Sequence, residues 1–141
     1  MVLRRRAARG AGAPLTPVAS LQWLLDFHKV WAYIAIAANA IAGIIALIAW
    51  KVRSWRGRWI WVVTIAAESA MMLQVLVGVT LVASDEYVAP RFHMFYGFLA
   101  FLTVGIALSY RKQMRGRREL LYGLVGLFIM GLGIRAILQA S

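Results

Sequence analysis

Two apolar runs constrain this chain more than anything else in it. Each opens on an aromatic–histidine pair and closes on an Arg-Gly-Arg triplet. The first, Phe27 to Trp50, reads FHKVWAYIAIAANAIAGIIALIAW and leads into KVRSWRGRW; the second reads FHMFYGFLAFLTVGIALSY and leads into RKQMRGRRE. Some twenty apolar residues, at about 1.5 Å of rise each, carry a helix across the roughly 30 Å hydrocarbon layer of a bilayer. The repeating unit is therefore a membrane hairpin: a span, a basic turn and a second span.

Taken along its length, the chain predicts an all-α membrane protein with four transmembrane helices in an up-down bundle built from two tandem helical hairpins. Residues 1–20 carry Arg4, Arg5, Arg6 and Arg9 among Ala, Gly and Pro without periodicity, and are expected to form a disordered, basic, membrane-hugging tail. Pro14 and Pro17 interrupt the stretch after the arginines, so a cleaved signal peptide is not expected. The membrane domain is placed at 21–141, with spans at about 30–50, 59–82, 92–110 and 120–138. The stretch LQWLLDFHK before the first span is amphipathic and is expected to lie in the interface. Ala35, Asn39, Ala42, Gly43 and Ala46 share one stripe of the first span, and small residues so placed let a neighbouring helix approach closely in lipid.

Composition agrees with lipid as the outer solvent. Hydrophobic residues make up 62% of the chain, against about 45–50% in soluble domains. The net charge of +11 is concentrated in short connectors. The turns 51–58 and 111–119 hold nine Lys or Arg, while Lys29 and Arg91 are the basic residues close to the spans on the other side. Short basic loops stay cytoplasmic, which puts those two turns inside a cell membrane of bacterial type, against anionic headgroups, with the termini outside. Nucleic-acid binding needs a basic face on a soluble fold and is not expected. The absence of Cys excludes disulfides and thiol chemistry. Since each repeat holds two spans, the two halves are expected to be related by a pseudo-twofold axis along the membrane normal.

Few residues are candidates for chemistry. His28 and His93, the only histidines, are counterparts in the repeat, each at the start of an odd-numbered span. The plain reading makes them headgroup-level residues. The alternative uses the diagonal gap of about 12–14 Å between first and third helices, from neighbouring axes 8–10 Å apart, to seat haem b with one imidazole on each iron face. Arg91 and Arg135 would then pair with its propionates. Glu68 falls about 13 Å into the second span by helical rise, where a carboxylate is costly and must face the bundle interior. Asn39 falls at similar depth, so an Asn39–Glu68 contact is expected, acting either as a polar clasp or as a proton or cation site. Gln74 and Arg135 lie at matching heights, which predicts a Gln74–Arg135 contact. Met71, Met72, Met94 and Met130 read as packing. No metal-ligand spacing, phosphate loop or nucleophile motif occurs, and no catalytic residues are assigned.

These residues point away from an enzyme. The leading expectation is a non-catalytic accessory or assembly subunit that meets other membrane proteins, or copies of itself, through small-residue faces. The alternatives are a haem-binding electron-transfer protein using His28 and His93, and a small proton- or cation-coupled transporter using Glu68.

Overall fold

The computed structural model describes Arg4–Arg5 and residues 16–141, with side chains from residue 21 onward. Among the described residues there are four long helices: α1 (Thr16–Lys51), α2 (Arg58–Ala83), α3 (Arg91–Tyr110) and α4 (Arg118–Ala140). All four are long and apolar enough to cross a membrane. Two-residue strands β1 (Arg4–Arg5) and β2 (Tyr87–Val88) pair antiparallel. The disordered tail expected of residues 1–20 lies mostly outside the described residues, apart from β1 and the first turn of α1.

The helix ends have local causes. The apolar run of α1 stops at Lys51, and Arg56 folds back onto its last carbonyls: Nε donates to Ala49 O at 3.0 Å and Nη2 to Trp50 O at 2.7 Å. These are among the acceptors that every helix C-terminus leaves without a partner. The second basic turn reverses at Gly116, whose φ of +87° is a left-handed conformation that glycine adopts without a Cβ clash. Arg111 of that turn lies 3.8 Å over the ring of Trp61. Pro90 precedes α3, where its missing N–H costs nothing.

Three side-chain clasps tie α1 to α2. Gln74 Nε2 donates to His28 O at 2.9 Å, Trp31 Nε1 to Ala70 O at 2.9 Å, and Asn39 Nδ2 to Ala67 O at 2.8 Å. Numbers rise along α1 as they fall along α2. The small-residue stripe of α1 is buried, with Ala35, Asn39, Ala42 and Ala46 all under 5% exposed. Against it lies α4, close enough that a Cβ on Gly126 would stand 2.9 Å from Asn39 O and Gly43 Cα. The central core takes Ala35, Met71, Ala100, Val104, Ile129 and Leu132 from all four helices.

The helices form a ring in which α1 meets α2 and α4, and α3 meets α4. The backbones of α1 and α3 stay apart, and the two helices meet through the rings of His28 and His93. The repeat predicts equal α1–α4 and α2–α3 seams, but only the first is closely packed, and α2 barely meets α3.

Candidate functional site

The loose α2–α3 seam holds an apolar cavity of about 570 Å³. All four helices line it: His28, Ala32 and Ile36 from α1, Met71, Gln74 and Gly78 from α2, His93, Tyr96, Gly97 and Ala100 from α3, and Leu132, Gly133 and Ala136 from α4. This volume lies within the roughly 300–1,000 Å³ typical of sites for small molecules and cofactors.

Both histidines meet at this cavity. Their ring centroids are 6.1 Å apart with planes at 76°. His28 is only 2% exposed, so its ring is enclosed by protein rather than open at the surface as its position in LQWLLDFHK suggests. The physical reason is that α1 continues unbroken through that stretch, and Leu25 packs with Val77, Leu81 and Tyr87. A turn of helix assigned to the interface is thereby enclosed, and His28 with it.

Hydrogen bonds set the tautomers. His93 Nδ1 lies 2.9 Å from Ala136 O. A carbonyl only accepts, so Nδ1 carries the proton and Nε2 keeps its lone pair. Gln74 Nε2, a donor, lies 3.4 Å from His28 Nε2, which makes that nitrogen the acceptor and Nδ1 the protonated one. His28 Nδ1 is buried without a hydrogen-bond partner. Gly78 gives the ring its room, since a Cβ there would stand 2.9 Å from His28 Cε1.

The other expected groupings do not form. Gln74 bonds to His28 rather than to Arg135, which is exposed on α4. Matching heights were not enough, because the two side chains leave their helices in different directions. Arg91 and Arg135 are both exposed and neither lines the cavity. Asn39 makes no bond to Glu68; its Nδ2 is shared between Ala35 O and Ala67 O. Glu68 is buried at 4% exposure on α2, one turn before Met71. No group of three or more His, Asp or Glu suited to a metal ion occurs among the described residues.

The sequence reading missed the Gln74–His28 link and the carbonyl of Ala136. Gln74, Met71 and Gly78 stand at helical spacing on one face of α2, and that spacing was the available signal for the first. A carbonyl has no signature in sequence.

No family model matches this chain, and no curated protein or solved structure is significantly similar to it.

Proposed function

We propose that the chain is a four-span membrane protein in up-down order that holds a b-type haem between His28 and His93 and carries single electrons. Membrane residence is supported by the inverted distribution of side chains. The described residues bury His28, Asn39, Thr64, Glu68 and Gln74, while Val30, Ile34, Ile41, Ile44 and Ile48 of α1 face outward. Water as the outer solvent would favour the opposite arrangement. The up-down order is supported by the α1–α2 clasps and by the pairing of Ile36 with Gly133 and Leu47 with Gly123 across α1 and α4. The two basic turns are then on one side, taken as cytoplasmic, against anionic headgroups.

The observation that carries the haem reading is the convergence of His28 and His93 on one apolar cavity; binding would require His28 Nε2 to give up its contact with Gln74. Two imidazoles on one metal ion, each nitrogen about 2.0 Å from it and each ring centre about 1 Å further out, lie roughly 6 Å apart centre to centre. The observed 6.1 Å matches that spacing. The Nδ1–H of His93 on a backbone carbonyl is the outer hydrogen bond that ligating histidines ordinarily have. His28 and His93 would hold the group, and it would supply one-electron transfer between protein partners.

The test is the visible spectrum of protein expressed with haem supplementation and purified in mild detergent. The expected result is one haem per chain with the sharp reduced bands of six-coordinate iron, lost in His28→Ala and in His93→Ala. A colourless wild-type protein under those conditions rejects the reading.

A second reading, an accessory subunit of a larger membrane complex, is favoured by α3. Its Phe92, Phe95, Phe98 and Phe101 are exposed, which leaves a broad aromatic face for another membrane protein. Co-purification of a stoichiometric partner, lost when these residues are changed to Ala, tests it.

A further inference from the structure

A second polar group lies one turn below the cavity floor, on the side of α2 toward its first residue. Glu68 is 4% exposed and makes no hydrogen bond or ion pair among the described residues. Two other buried oxygens in the same region are also without partners: Thr64 Oγ1 and Asn39 Oδ1, on residues 3% and 1% exposed. Thr64 is four residues before Glu68, on the same face of α2. The Asn39 amide is fixed at this level because its Nδ2 donates to Ala67 O, on the residue next to Glu68.

Donors and acceptors around this turn do not balance. An amide oxygen only accepts, an ionised carboxylate only accepts, and the Thr64 hydroxyl brings one hydrogen. One added proton supplies what is missing. A neutral Glu68 brings it: the structure draws neither bond, and a side-chain rotation would let its O–H donate to Asn39 Oδ1 and its other oxygen accept from Thr64. No cation substitutes for that proton. Residues 35–46 of α1 and 97–109 of α3 contain no titratable side chain. From α4, Tyr122 lies within electrostatic reach of Glu68, with Arg111, Arg118 and Glu119 around the tyrosine at the basic turn.

We infer that Glu68, Asn39 and Thr64 form a reversible proton-binding site inside the bundle, separate from the histidine cavity. Glu68 is ten residues into α2, about 15 Å from its start at helical rise, so a proton arriving from the basic side crosses half the bundle to reach it. Binding is the combination of one carboxylate with one proton from water, with no other reactant. It holds whether or not the cavity takes haem.

The experiment is infrared spectroscopy of the full chain in lipid vesicles, with ¹³C-labelled glutamate to separate its carboxyl bands from aspartate. The expected result is a protonated-carboxyl band that shifts in D₂O and disappears as pH rises. Glu68→Gln loses it, Glu86→Gln and Glu119→Gln keep it, and Thr64→Val moves its frequency. Where Glu68→Gln fails to fold, the labelled wild type with the two control variants makes the assignment. A band unchanged by pH and D₂O means a permanent clasp and overturns the proposal. So does a glutamate that is ionised at every pH at which the protein is folded, or a band displaced by sodium at fixed pH, which marks a metal-cation site instead.

Discussion

The α1–α4 seam and the α2–α3 seam are counterparts in the repeat and opposites in packing. In the first, a Cβ on Gly43 would stand 3.0 Å from Gly123 O and Leu127 N, and Leu47 lies over Gly123. In the second, Gly97 of α3, which lines the cavity, has nothing within 4 Å of where a Cβ would be. In lipid there is little hydrophobic drive between helices, so close packing of small residues is what holds a seam shut. The α1–α4 seam has that packing from backbone to backbone. The α2–α3 seam has Gly97 with nothing against it, and the cavity fills the difference. A repeated sequence pattern does not give a repeated interface where the facing surfaces differ.

The largest effect should come from the histidines of the open seam. His93→Ala removes the donor to Ala136 O and, on the haem reading proposed above, one of the two ligating side chains; haem incorporation is then expected to fall at least tenfold with loss of the six-coordinate spectrum. The closed seam should respond next, and in stability rather than ligand. Gly126→Ala forces a methyl group against backbone atoms that cannot yield separately, at a cost of about 1–3 kcal/mol. Unfolding in detergent, followed by circular dichroism, measures it. Between the two seams stands Gly78→Ala, whose methyl meets His28 Cε1 and must turn the ring. A shift of the haem bands or a severalfold loss of affinity is expected, at a stability cost of about 1 kcal/mol. Asn39→Ala removes the Ala67 clasp and should cost about 1 kcal/mol. The smallest effect belongs to Gly97→Ala, which meets nothing and should stay within about 0.5 kcal/mol of wild type. Equal costs for Gly97→Ala and Gly126→Ala would erase the contrast between the seams.

Much of this architecture can be read from residues alone. The apolar runs and basic turns locate α2, α3 and α4 to within two residues, because a change from apolar to charged side chains and a helix end have the same cause. The α1 stripe from Ala35 to Ala46 is equally legible, since period and residue size act together. Contacts between polar residues are less so. Rise along a helix gives depth, but a contact also needs direction around the axis, which turns by about 100° per residue. Asn39 and Glu68 have similar depths, and Gln74 and Arg135 have matching heights, yet neither pair is bonded. The convergence of His28 and His93 was visible as symmetry. What enclosed His28 was the length of α1, and no residue before Val30 marks where a helix leaves the interface and enters a core.

That length has a mechanical side. At about 1.5 Å per residue, the 36 residues of α1 extend roughly 54 Å, far more than a hydrocarbon layer of about 30 Å can hold upright. The surplus must slant or emerge. Since the rod has no break between Thr16 and Lys51, a pull on its N-terminal end is transmitted to His28 without a hinge to absorb it. Whatever grips that end holds a lever on the imidazole.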